Sequence, residues 1–141
     1  RQGQLNESAD CFKRALRLNE NKSLYYKSLG ISQYIAGNLE EAGTMLKKAL
    51  DMGKSDPMVT LFYGICLFKL KRIDDAVYFF KQVMKKDPNN PMANLYYAMV
   101  MIQKQENVTA KLFLEKINRL EYFAPIKEQS RRILEKLENE G

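Results

Sequence analysis

The sequence predicts an all-α solenoid of helix-turn-helix repeats: three full units, a half unit before them, and a capping helix at the end. Three observations predict it. The chain of 141 residues matches itself at a step of 34. The matching positions alternate small and large apolar residues at helical spacing. Pro residues and capping side chains fall between the apolar-periodic segments.

The repeat is visible at several positions. Leu5, Leu39 and Ile73 lie 34 apart, as do Gly3 and Gly37. Ser8, Ala42, Ala76 and Ala110 keep the same step. Four residues after each comes a large apolar one, Phe12, Leu46, Phe80 and Leu114, followed in register by Ala15, Ala49, Val83 and Ile117. Leu29-Gly30, Tyr63-Gly64 and Tyr97-Ala98 recur upstream of these. The small residues let two helix axes approach, and the large ones fill the grooves alongside. One such unit cannot bury its own apolar face and does so by stacking on its neighbours.

In chain order, residues 1–22 hold the second helix of a truncated unit, at 5–18. Residues 23–56 form a unit with helices at 23–36 and 39–51, joined by the Gly37-Asn38 turn. Residues 57–90 form the next, with helices at 57–70 and 73–86; Asp56-Pro57 starts it and Asp87-Pro88 ends it. Residues 91–122 form the third, with helices at 91–104 and 107–119, started by Asn90-Pro91. Lys71-Arg72 and Gln105-Glu106 take the place of Gly37-Asn38 in these later units, so their turns lack the Gly. Gly53 follows the helix that ends near Leu50. In 123–141, Pro125 opens a terminal helix with the apolar stripe Ile126, Ile133, Leu134 and Leu137, and with Lys127, Glu128, Arg131, Arg132, Glu135 and Lys136 facing out. Such a helix caps a stack. The chain opens without Met and inside a unit, so an upstream part or another chain is expected to cover Leu5, Phe12 and Leu16.

These residues resemble the tetratricopeptide repeat family. The family pattern W-x2-L-G-x2-Y…A-x3-F…P reads here as Thr60-x2-Tyr63-Gly64-x2-Leu67…Ala76-x3-Phe80…Pro88, and in the preceding unit as Tyr26-x2-Leu29-Gly30-x2-Gln33…Ala42-x3-Leu46. The third unit departs from it, with Ala98 for Gly and no closing Pro. The resemblance covers roughly residues 3–120. It implies a right-handed superhelix whose first helices line a concave groove, and it implies no single function. Some members hold a peptide's terminal carboxylate with Lys, Asn and Arg on first helices. Lys27 matches one such place, but Ile31 and Phe62 stand at the Asn places and Met92 and Tyr96 at the Lys and Arg places, so that clamp is absent.

The stretch Leu61-Phe62-Tyr63-Gly64-Ile65-Cys66-Leu67-Phe68 has no charge and too few residues to cross a membrane. In this architecture one side of it packs on second helices and the other lines the groove. Helical spacing assigns the groove Leu24, Lys27, Ile31 and Tyr34 in the first full unit. It assigns Met58, Leu61, Phe62, Ile65 and Phe68 in the next, and Met92, Leu95, Tyr96, Met99 and Ile102 in the third. Packing between neighbouring first helices is the competing reading, above all for Ile65 and Leu95. Bare apolar surface of several hundred Å2 is rare on a monomer and marks an interaction site. The expected partner is a protein or peptide with an apolar or amphipathic helical segment. Self-assembly through the groove or the uncapped end is an alternative.

Charge and composition limit the rest. The net charge is +6, and basic residues Lys13, Arg14, Lys47, Lys48, Lys81 and Lys85 fall on second helices, hence on an outer ridge. That ridge suits an anionic surface, against the simpler reading of a solvated face. It carries no evident base-stacking aromatics, which argues against nucleic acid; membrane is disfavoured beside it. The chain has no His, which removes the usual base near neutral pH and the commonest metal ligand. Glu40-Glu41 and Asp74-Asp75 lie at helix starts, where the helix dipole favours them. The expectation is a scaffold without catalysis, cofactor, metal or small-molecule substrate. Cys11 and Cys66 read as two buried thiols, not a bridge. No run of 18 or more apolar residues exists, no apolar leader opens the chain, and the compartment is not readable.

Overall fold

The computed structural model describes residues 2–53, 56–119 and 124–140, without the side chains of 2–8, 12, 16 and 124. Seven helices occupy them: α1 Gln2–Ile35, α2 Leu39–Asp51, α3 Pro57–Lys69, α4 Ile73–Lys86, α5 Pro91–Gln103, α6 Asn107–Arg119 and α7 Ala124–Glu140. The chain divides into two compact units, Arg1–Val59 and Thr60–Gly141.

α1 differs from expectation. Residues 5–18 and 23–36 were expected as separate helices, but one helix runs from Gln2 to Ile35. The reason lies in the link. Asn19-Glu20-Asn21-Lys22 contains neither Pro nor Gly, whereas the later links contain Gly53 and Pro57, or Pro88 and Pro91. Without a residue that removes an N–H or adopts a left-handed backbone, the helix continues. Leu5, Phe12 and Leu16 have side chains outside the described residues, as does the boundary at 122/123.

Three turns are copies of one another. Gly37, Lys71 and Gln105 all have positive φ, at 89°, 69° and 63°. In each, the N–H of that residue donates three residues back, to Tyr34, Phe68 or Ile102. The following N–H donates five residues back, to Gln33, Leu67 or Met101. This is the Schellman helix end, which favours Gly. Lys71 and Gln105 adopt the same backbone without it, because the packing of the two helices over-determines the turn.

The starts follow the sequence signals. Asn90 Oδ1 accepts from the Ala93 N–H at 3.0 Å, with Pro91 opening α5. Asp56 Oδ1 accepts from the Met58 N–H at 2.9 Å at the start of α3. Asn94, fully buried, donates through Nδ2 to the carbonyls of Asn90 (2.6 Å) and Pro88 (3.0 Å), which pins the link between α4 and α5.

In the first unit α2 packs on α1, with Ala42, Leu46 and Ala49 buried against it. Gly30 sits where a Cβ would lie 2.7 Å from Leu46 Cγ, so the small residue sets this spacing. In the second unit Gly64 faces Phe80 in the same register, and Tyr63 meets Phe79 edge-on with ring centroids 4.8 Å apart. The next copy repeats the pair as Tyr97 and Phe113 at 4.7 Å. The core of this unit includes Phe80, Val83, Val100, Leu114 and Ile117, all 2% exposed or less. α7 packs on α6 and α5. The Ser130 hydroxyl, fully buried, donates to the Leu114 carbonyl at 3.0 Å and anchors it there.

Candidate functional site

The residues expected to line a groove fall into three classes. Leu61, Ile65, Phe68 and Leu95 are buried. Ile65 and Leu95, at 1% exposure each, present nothing to a partner and act as core, because the flat face of each first helix is covered on more sides than helical spacing alone reveals. Lys27, Ile31, Tyr34, Phe62, Met92, Tyr96, Met99 and Ile102 are half-buried. Leu24 and Met58 are exposed, at 60% and 49%.

In the first unit Lys27 does not stand free. Its Nζ donates to Asp56 Oδ2 at 2.8 Å. Burial alone would raise the Asp56 carboxyl, but the hydrogen bond from Lys27 and the one from the Met58 N–H outweigh it and hold the group below the usual carboxylate range. The one residue that matches a carboxylate clamp is thus already paired with a carboxylate of its own chain. Leu24, Lys27, Asp56 and Pro57 border an open depression with Glu20, Asn21 and Ser23.

In the second unit three of the expected residues meet. Phe68 from α3 and Met99 and Ile102 from α5 line a cleft of about 290 Å3. Ile133 and Leu137 of α7 form its other wall, and Gln103, Lys136 and Glu140 stand around it. Phe68 is held by Tyr96, whose ring lies edge-on to it at 5.7 Å and stacks on Phe80 at 5.9 Å. Those ring contacts fix the cleft floor on the core. Two of the helices that build the cleft, α3 and α5, begin at Pro and carry their apolar residues nearly all round, so each can pack and line at once. The amphipathic α7 brings a single stripe in which Leu134 and Leu137 are both buried, and Leu137 together with Ile133 also lines the cleft. The apolar stripe of α7 does not by itself announce this contribution. It reads as a cap, and only the way the helix returns onto α5 reveals the second role.

Of the basic ridge, Lys13, Arg14, Lys47, Lys48, Lys81 and Lys85 are all exposed. Lys47 pairs with Asp51 at 3.6 Å, and Lys48 lies over the Tyr26 ring at 5.5 Å from its centroid. Cys11 is exposed, contrary to the expectation of a buried thiol, because the first half of α1 runs beyond the reach of α2. Cys66 is buried, and desolvation pushes its thiol up to about 11. Among the described residues no group of three His, Cys, Asp or Glu side chains is placed to hold a metal ion. Among them, too, no helix is long and apolar enough to cross a membrane.

Solved structures share this fold. The Arabidopsis OM64 TPR domain has a TM-score of 0.77 at 15% identity, over 87% of this chain and 99% of that one. PcrH from Pseudomonas aeruginosa has a TM-score of 0.74 at 18% identity, over 84% and 92%. The first TPR of Spaghetti (RPAP3), bound to the HSP90 peptide SRMEEVD, has a TM-score of 0.70 at 20% identity, over 83% and 94%. No curated protein sequence matches the chain. Family models described as tetratricopeptide repeat match residues 67–123, and residues 1–57 and 28–91. With its repeated helix pairs, its small residues at the crossings and these matches along most of its length, the chain belongs to the tetratricopeptide repeat family.

Proposed function

We propose that this chain is a non-enzymatic protein-interaction scaffold, and that a large apolar side chain from an apolar or amphipathic helical segment of a partner protein seats in the cleft of Phe68, Met99, Ile102, Ile133 and Leu137. The cleft carries the proposal: three helices supply five apolar lining residues, against Gln103, Lys136 and Glu140 as the polar ones. Its volume of about 290 Å3 lies at the low end of small-molecule sites. That suits one or two side chains of a larger partner. Burying one such side chain contributes about 1.5–3 kcal/mol. The half-buried Phe62, Met92 and Tyr96 on the same two helices add apolar surface for the rest of the segment.

Relatives of this fold support peptide capture as a mode. RPAP3 was solved with an HSP90 peptide, and PcrH with the chaperone binding regions of PopB and PopD. An acidic tail held by its carboxylate is disfavoured here. Lys27 is already paired with Asp56, and Ile31, Phe62, Met92 and Tyr96 occupy the other clamp places.

Selection from a displayed peptide library against the protein tests the proposal. Enriched peptides are expected to share a large apolar residue and to lose binding to Met99→Glu and Ile133→Glu, both at half-buried positions. Peptides that bind those variants as well as the parent refute it.

Self-association through α1 is a second reading, favoured by one observation: every described side chain from Ala9 to Lys22 is exposed. Analytical ultracentrifugation decides it. A dimer that grows with concentration and is lost in Leu18→Glu supports it, and a strict monomer at high concentration ends it.

A further inference from the structure

The outer face of α4 and α6 carries apolar side chains that the fold does not require. The 34-residue register supplies the control. Packing positions are small or apolar in every described copy and fully buried: Ala42, Ala76 and Ala110, then Leu46, Phe80 and Leu114, all at 0% exposure. The outward position held by Tyr78 and Leu112 is different. It is Asp10 on α1 and Thr44 on α2, where the Thr44 hydroxyl donates to the Glu40 carbonyl at 3.0 Å. Tyr78 and Leu112 are 58% and 59% exposed, and Val108, one turn before Leu112, is 77% exposed. A position that is Thr on the packed α2 and apolar on α4 and α6 is not fixed by the helix crossing, although Tyr78 does meet Phe79 edge-on with ring centroids 5.1 Å apart. Three large apolar side chains exposed on these two helices together are more than scattered single residues, and such a patch marks a contact surface.

Charge gives that surface a direction. On α2, Lys47 is neutralised by Asp51. The Asp51 position becomes Lys85 on α4 and Arg119 on α6, both exposed. Lys81 lies one turn before Lys85 and is exposed too. The C-terminal half of α4 is therefore cationic, with Lys81, Lys85 and Lys86 and no acid among them, whereas on α6 Glu115 stands against Arg119. Lys116 is turned away, its Nζ donating to the Pro88 carbonyl at 2.6 Å. At the N-terminal ends stand Asp75 and Asp74, the latter held by Lys104 at 2.7 Å.

We infer that Tyr78, Val108 and Leu112 together with Lys81, Lys85 and Arg119 dock an acidic peptide segment in which apolar residues are interspersed. The complementarity is directional: acids of the segment meet Lys81 and Lys85 in the C-terminal half of α4 and Arg119 at the end of α6, and its apolar residues meet Tyr78, Val108 and Leu112. An anionic bilayer fits less well. Asp74, Asp75 and Glu115 share the face and would be pressed against lipid phosphates. None of the six residues lines the cleft, so this inference stands or falls apart from the proposed function.

The test uses a fluorescein-labelled peptide of about 12 residues alternating Glu and Leu. An all-Glu peptide of the same length and phosphatidylcholine vesicles containing phosphatidylserine serve as the alternatives. Fluorescence anisotropy and vesicle sedimentation at low and moderate salt are the readouts. The Glu/Leu peptide is expected to bind, more weakly as salt rises. Its affinity is expected to fall about tenfold or more in the double variant Lys81→Glu with Lys85→Glu, and severalfold in Leu112→Ser. In Met99→Glu, which puts a charge in the apolar wall of the cleft, it is expected to stay unchanged. Circular dichroism checks that each variant keeps its helices. The inference is overturned by absence of binding, by equal binding of the all-Glu peptide, or by binding that the surface variants leave intact. Loss of binding in Met99→Glu, or preference for vesicles, overturns it as well.

Discussion

Replacing Gly30 by Ala tests what sets the spacing of α1 and α2. A Cβ at Gly30 would lie 2.7 Å from Leu46 Cγ, 2.9 Å from its Cδ2 and 3.3 Å from its backbone N, all inside the 3.4 Å at which ordinary contact begins. Leu46 is fully buried, so its side chain has no free space to enter, and one of the three atoms is backbone. Overpacking of this kind costs about 1–3 kcal/mol. Against it stands the gain in helix propensity, about 1 kcal/mol for Gly to Ala. The fixed surroundings put the overpacking near its upper limit, so the net loss is about 2 kcal/mol. Urea denaturation followed by circular dichroism reads this as a fall in midpoint of about 1 M, for slopes of about 1–3 kcal/mol/M. Gly64→Ala meets the edge of Phe80 at 2.9 Å and Phe79 Cβ at 3.3 Å, and a smaller loss is expected there. Ala98→Gly at the same register position should also destabilise, because it gives up helix propensity and a buried methyl. A Gly30→Ala protein as stable as the parent, or more so, would refute the argument that Leu46 sets the distance.

Further expectations follow from the turns, the caps and the thiols. Lys71→Gly and Gln105→Gly should each stabilise by about 0.5–1 kcal/mol in the same assay, since both side chains now sit on left-handed backbone that Gly37 adopts freely. Asp56→Asn retains an acceptor for the Met58 N–H but removes the charge that pairs with Lys27. At pH 7 it should cost about 0.5–1 kcal/mol. Because the folded carboxyl lies below its usual 3.8, that difference is present above this value and disappears as the pH falls through the depressed one; a pH series of melts checks it. Asn94→Ala should cost about 1–3 kcal/mol, since it strips the Asn90 and Pro88 carbonyls of a buried donor. At pH 8 a thiol reagent should modify Cys11 quickly and Cys66 only on unfolding, since Cys66 is buried with its thiol raised to about 11.

The fold was largely legible because each repeat restates the same local chemistry. Starts at Pro57 and Pro91, ends near Asp51, Lys86 and Arg119, and the buried register of Ala42, Ala76 and Ala110 follow from residues within one turn of each feature. The difference falls on 19–22, where the apolar period resumes without a breaker and α1 runs through. Period alone does not end a helix; a residue such as Gly or Pro does. The site was legible only in part, for a different reason. Helical spacing selects a face, but whether that face is wet depends on which other helix returns to it. Ile65 and Leu95 are core and Met99 and Ile102 line a cleft, although all four satisfy the same spacing. Ile133 and Leu137 lie far along the chain from Phe68, and nothing local to either announces their meeting. The in-phase copies did contain a signal for the outer face: the change from Asp10 and Thr44 to Tyr78 and Leu112 at one register position.

The central claim is that the cleft between α3, α5 and α7 receives an apolar side chain. Methyl-detected NMR on protein labelled at Met and Ile tests it most directly, with a library-selected peptide titrated in. The account predicts that the largest shifts fall on Met99, Ile102 and Ile133 and vanish when the peptide's apolar residue is replaced by Ser. Peptide bound tightly while those three methyl signals stay in place would contradict it.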